Sequence, residues 1–246
     1  MLCRMEEVGS ADMDDQATVI LTTRDSDLLA TVRESLPDVR VMQIGSEPLR
    51  VLVSGRVWCF VDWLLPSISG LEVCRRLRET PITAQSHITM VLDEDDSEIR
   101  RRALRAGADN YVQGPLSEQI VIDRLGQYRT VFPANFGARR LSNGPVTLDI
   151  AAHQMRYRNR VIPLRPNEFR LLTHFFEHPD QLFTRNQLIT MLGKDCGEID
   201  ERTVDVWVGR LRRSLKAHGV PDQLRTVRSM GYVLDSVYEI EGTHAA

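Results

Sequence analysis

Between Glu201 and Lys216 the chain places four arginines, a lysine and a tryptophan among regularly spaced apolar residues. Val204, Val208, Leu211 and Leu215 recur at intervals of four, three and four, the pattern of one buried helical face. The other side is read as Thr203, Trp207, Arg210 and Ser214, with Val206 and Arg213 beside them and Arg202, Arg212 and Lys216 flanking. A helix with an apolar back and such a front suits a DNA major groove, about 12 Å wide. Arginine there pairs bidentately with guanine, while threonine and lysine hold phosphate. A solvated charged face has the same composition. An exposed Trp207 between arginines needs a partner, and so favours the groove.

Elsewhere the reactive residues are sparser. Cys3, Cys59, Cys74 and Cys196 are scattered with no Cys-x-x-Cys pair. That argues against a disulfide scaffold and a structural zinc site, and for a reducing cytoplasm. Neither a metal nor a cofactor is expected. Thr22, Thr23, Arg24 and Ser26 gather donors after a short apolar run, where an anion could sit, yet no glycine-rich phosphate loop accompanies them.

The elements that must position these groups divide in two. A chain of 246 residues favours two domains. Residues 1–137 carry 15 Lys+Arg against 21 Asp+Glu, a net −6, and residues 138–246 carry 16 against 13, a net +3. An acidic module therefore adjoins a basic one. No apolar run approaches the roughly 20 residues of a membrane span, and the charged first fifteen residues do not read as a secretory leader. Residues 1–16 are expected to form a disordered acidic tail. From 17 to 131 strand and helix patterns alternate, implying a doubly wound five-stranded parallel sheet. SEPLRVLVSG within it is ambiguous. A linker is placed at 132–139, and 140–240 as a second, α+β domain. There VTLDI, QMRYRN and RVIPL suggest an antiparallel meander, followed by three helices. Pro166 suits a first helical position, and Thr184 and Gln187 have capping-box spacing. QLRTVRSMGYVLDSV reads as a closing hairpin.

The segments LRPNEFRLL, FTRNQL, ERTVDVWVGRLRRSL and RTVRSMGYVL, in this order, resemble the winged-helix effector domain of the OmpR/PhoB response regulators. The resemblance implies a four-stranded sheet, three helices and a hairpin wing, with the third helix in the major groove and Arg228 in the minor groove. It assigns DNA contacts to Arg202, Thr203, Val206, Trp207, Arg210 and Arg212, and near the wing to Thr226, Arg228 and Tyr232. The residue reading adds Arg213. Trp207 stands where the family usually has histidine, Gly209 replaces a basic residue of several relatives, and Arg165 replaces a threonine cap. GKDCGEID corresponds to a loop that touches RNA polymerase in relatives.

VDWLLPSISGLEVCRRLR and RAGADNYVQGPLS resemble the receiver (CheY-like) domain of the same regulators. Asp62 falls where that family accepts a phosphoryl group. Phosphotransfer there requires Mg²⁺ held by several carboxylates, with a lysine and a hydroxyl on the phosphoryl oxygens. The acidic pair aligns with Thr23 and Arg24, the lysine with Gly114, and the hydroxyl position with Leu92, or with Asp93 if the register slips by one. Asp25 and Asp27 lie close by in sequence. The implied protein is a cytoplasmic, non-enzymatic DNA-binding transcription regulator with a degenerate receiver, acting without conventional aspartyl phosphorylation. The alternative is a conventional two-component regulator switched at Asp62. A docking module for other proteins is a further class. Arg24 and Asp62 are expected to pair across neighbouring strand ends and fix one receiver state.

The family also implies a homodimer on tandem half-sites, paired through the fourth helix, fifth strand and fifth helix of the receiver. Those elements hold Arg101, Arg105, Asp109, Asn110 and Arg124, with Ile99, Ala103, Leu104, Ile120 and Leu125 as apolar candidates. RNA polymerase is an implied partner; a sensor kinase loses its role if phosphotransfer is lost.

Overall fold

The computed structural model describes residues 17–45, 56–131, 139–193 and 199–237. The expected acidic tail, the whole of SEPLRVLVSG (residues 46–55), linker residues 132–138, Cys3 and the 194–198 part of the polymerase-type loop lie outside them. The chain falls into two compact units divided between Val121 and Ile122.

The first unit is a parallel sheet of order β2-β1-β3-β4-β5, built from β1 (Thr18–Leu21), β2 (Arg40–Gln43), β3 (Val57–Asp62), β4 (His87–Leu92) and β5 (Asn110–Gln113). This is the doubly wound sheet expected. β1 and β4 are buried along their whole length, as strands covered on both faces must be. Among the described residues its helices are α1 (Ser26–Ser35), α2 (Gly70–Glu79), α3 (Ser97–Ala106) and the start of α4 (Glu118–Val131), which continues past Val121. Side-chain caps start three of them: Asp25 accepts from Asp27 N and Leu28 N, Ser69 from Glu72 N, and Asp96 from Glu98 N and Ile99 N.

Gly70 fixes the loop that follows β3. A Cβ there would lie 2.0 Å from the Asp62 carbonyl oxygen, so only glycine lets α2 begin against the end of that strand. Asp62 is thereby held at the carboxyl edge of the sheet, where ligands of doubly wound folds bind.

The second unit opens with an antiparallel sheet of β6 (Arg140–Asn143), β7 (Val146–Asp149), β8 (Gln154–Tyr157) and β9 (Arg160–Ile162), one strand more than the residue patterns alone suggest. Helices α5 (Pro166–Glu177), α6 (Arg185–Met191) and α7 (Arg202–Ala217) follow, then a hairpin of β10 (Leu224–Val227) and β11 (Gly231–Leu234). Pro166 opens α5, and Thr184 and Gln187 form a reciprocal capping box at α6. Phe183 exchanges both backbone hydrogen bonds with Tyr232, lacing the loop after α5 to the hairpin. Gly231 makes this possible: its φ is +153°, and a Cβ would sit 1.9 Å from the Phe183 oxygen. Phe169, Phe175, Leu188, Val204, Val208, Leu211 and Leu215 fill the core.

Candidate functional site

α7 buries more of its circumference than the four-residue stripe requires. Val204, Val208, Leu211 and Leu215 are inside, and so are Thr203 and Trp207, each 1% exposed. The expected exposed Trp207 is therefore corrected: it is among the largest fully buried side chains, and neither it nor Thr203 can reach a base edge. Ser214, also placed on the groove side, donates its hydroxyl to Pro163 O at 3.0 Å.

The outward arc carries Arg202, Asp205, Arg213 and Lys216 exposed, with Val206, Gly209 and Arg210 half-buried. Gly209 meets no atom within 4 Å of a built Cβ, so packing does not demand it. Arg213 uses the bare backbone, its Nε donating to Gly209 O at 3.2 Å. Arg228 is exposed in the turn between β10 and β11. The two basic elements, helix face and hairpin turn, belong to one unit.

A polar cluster braces them. Tyr232 donates its hydroxyl to Asp205 Oδ1 at 2.6 Å, and Arg185 Nε donates to the same oxygen at 2.7 Å. Both Arg185 and Arg212 lie over the Tyr232 ring, 5.3 and 5.7 Å from its centroid. Arg212 donates to Leu224 O and to Thr226 Oγ1. Burial, then the bond to Asp205, push the Tyr232 phenol up to about 12. Tyr232, 4% exposed, is corrected from a DNA contact to a strut, and Arg212 is engaged with the hairpin rather than pointing outward. Arg185 and Asp205 are additions the sequence reading missed; no helical period relates Asp205 to the hairpin.

In the first unit Asp62 does not pair with Arg24. Thr22 donates its hydroxyl to Asp62 Oδ2 at 2.8 Å and accepts from Asp62 N at the same distance. Thr22 is 2% exposed, whereas Arg24 is turned out into solvent, which corrects the expected ion pair. Burial raises the Asp62 carboxyl above its ordinary value; the Thr22 bond opposes this and the Asp93 charge adds to it. Arg24 instead lines a cleft of about 270 Å³ with Thr22, Gln43, Gly45, Pro66 and Ser67.

The residues around Asp62 do not fit a magnesium ion. Thr23 and Arg24 supply a hydroxyl and a guanidinium where carboxylates are needed, and Asp25 is committed to capping α1 at 2.9 and 3.0 Å. Leu92, 2% exposed, offers no hydroxyl. Gly114 packs tightly: a Cβ there would lie 3.1 Å from Val91 Cγ1 and 3.3 Å from Leu92 O. Restoring a lysine would require those neighbours to give way.

The expected dimer residues separate as well. Arg105 is exposed, and Arg101 and Arg124 are partly so. Asp109 and Asn110 are 1% and 2% exposed, so neither lies on a surface. Asp109 accepts from Arg78 Nη2 at 2.5 Å and from Ile88 N at 2.9 Å, an internal pairing. Ala103 and Leu104 are likewise buried within the unit, and Leu125 is buried too.

Comparison with known proteins adds two family matches. Residues 13–125 match the response regulator receiver domain and residues 159–234 the C-terminal domain of transcriptional regulatory proteins. The chain is 39% identical over 176 residues to the phosphate regulon transcriptional regulatory protein PhoB of Rhizobium meliloti, covering 72% of this chain and 78% of that protein. It is 31% identical over 227 residues to the transcriptional regulatory protein PrrA of Mycobacterium tuberculosis, covering 88% and 95%. Among solved structures, a RitR mutant shares the fold with a TM-score of 0.61 at 18% identity, covering 90% of this chain and 100% of that one.

Proposed function

The chain belongs to the OmpR/PhoB family of response regulators, and from that premise we propose that it reads specific duplex sequences through α7 and the β10–β11 turn while its receiver works without aspartyl phosphate. The observation that carries the DNA reading is the division of α7: a buried apolar arc on one side and Arg202, Val206, Arg210 and Arg213 on the other. Arg210 takes the role of base reader. Arg228 projects from the hairpin turn for the minor groove, and Arg202, Arg213 and Thr226 supply backbone contacts. Two copies bind tandem half-sites, and Arg101 and Arg105 on α3 are accessible for pairing the receivers. RNA polymerase is the partner of the promoter complex, and the cytoplasm the compartment.

Phosphate independence is supported by the residues at the aligned positions: Thr23 and Arg24 in place of the acidic pair, Gly114 in place of the lysine and Leu92 in place of the hydroxyl. The competing reading, a conventional switch, is favoured by one observation: Asp62 sits at the carboxyl end of β3 with its side chain accessible in part.

The test uses duplexes selected from random sequence by the full chain. Arg210→Ala is expected to weaken the selected site by about 1–3 kcal/mol and relax preference at one base pair. Arg228→Ala is expected to weaken binding with a shallower salt dependence. Binding by Arg210→Ala with unchanged affinity and sequence preference contradicts the assignment.

A further inference from the structure

The last turn of α5 gathers three metal-binding side chains that the DNA interface does not use. His174, Glu177 and His178 bring one ligand atom each within 4.8 Å of one another, the one such group of three among the described residues. We propose that these three side chains form a site for a borderline transition-metal ion such as Zn²⁺.

The backbone already sets the spacing. Residues four apart on a helix stack on one face, so the two imidazoles lie one above the other, with ring centroids 4.9 Å apart. The ligand nitrogens and oxygen on a tetrahedral Zn²⁺ lie roughly 3.4 Å apart, given bond lengths near 2.0–2.1 Å. Closing from the present separation needs only side-chain rotation of His178 and Glu177, which reach solvent. His174 is half-buried and anchored, its ring 4.5 Å from that of Phe183. The site also sits at a helix carboxyl end, whose exposed carbonyls favour a cation.

The opposing group is Arg139, which pairs with Glu177 at 2.9 Å and must yield to the ion. Two imidazoles and one carboxylate select zinc, nickel or copper over magnesium, which requires oxygen ligands. Cysteine spacing argues only against a thiolate site and is silent on this one.

The position gives the ion a mechanical consequence. Just beyond His178, Asp180 N donates to Leu234 O at 2.8 Å, and the Asp180 carboxylate accepts from Ser236 N and Oγ at 2.8 and 2.5 Å. Phe183, against which both rings pack, is the residue laced to Tyr232. A bound ion would stiffen the strap between α5 and the hairpin.

The experiment is a Zn²⁺ titration of the full chain against a chromophoric chelator, with the histidine ring signals followed by NMR. One equivalent is expected to bind, moving the His174 and His178 signals together, and excess Mg²⁺ should not displace it. His178→Ala removes an exposed side chain without opening the core and is expected to weaken binding by roughly tenfold or more. Glu177→Gln should weaken it less. Zn²⁺ binding of equal strength by wild type and His178→Ala, binding that leaves both ring signals unmoved, or no binding at all would each overturn the site.

Discussion

Trp207→Ala is expected to destabilise the second unit by about 3–5 kcal/mol, the usual cost of truncating a fully buried aromatic. Trp207 is 1% exposed and shares the buried arc of α7 with Thr203, Val204, Val208, Leu211 and Leu215. Its removal leaves a cavity beneath the helix that carries the arginines, so DNA affinity falls because the folded population falls. Base preference among the remaining folded molecules should not change. Denaturant unfolding of the full chain, with hydrogen exchange read over residues 199–234, separates this from Arg210→Ala, which is expected to cost far less stability than Trp207→Ala. A Trp207→Ala protein that unfolds like wild type yet loses discrimination at one base pair would return Trp207 to the DNA face.

The second large effect lies in the receiver. Arg78→Ala is expected to cost about 3–5 kcal/mol, because it strands the Asp109 carboxylate inside the protein. The Arg78 guanidinium bonds Gly107 O, Ala84 O and Ser86 O at 2.7–2.9 Å besides Asp109, tying the end of α2 to the segments entering β4 and β5. Asp109 also accepts from Ile88 N, at 2.9 Å, and lies 3.9 Å from His87 Nδ1. The double replacement Arg78→Met with Asp109→Asn removes both charges and should recover much of the loss. Thermal unfolding of the full chain for wild type and the two variants provides the check. Equal stability for Arg78→Ala and wild type would contradict the role given to this pair.

The contrast between these two residues explains what could be read in advance. The sheet order was legible because buried parallel strands are near-continuous apolar runs, as in HITMVL, and because alternating helices leave few topologies. The cap at Thr184 was equally local. Trp207 was misassigned although its angle was available: at about 100° per residue it stands roughly 40° from Leu211. A four-residue stripe understates the buried arc of a helix covered on more than one side. Asp109 was beyond local reading, since its partner lies 31 positions away. The same holds for Tyr232 with Asp205, 27 positions apart, where a hydroxyl and a carboxylate meet only after the hairpin closes. At the receiver pocket the residue substitutions were visible, but which side chain met Asp62 was not. Thr22 and Arg24 are two positions apart, and the strand's direction into Asp25's cap decides between them.

On the proposed function, this regulator reads DNA without a phosphoryl group on Asp62. The most direct measurement is binding of a selected duplex by wild type and Asp62→Ala, each with and without acetyl phosphate and Mg²⁺, with intact masses taken from the same samples. Four superimposable isotherms and no phosphoryl adduct are predicted. An adduct on wild type alone, accompanied by tighter binding, would contradict the account.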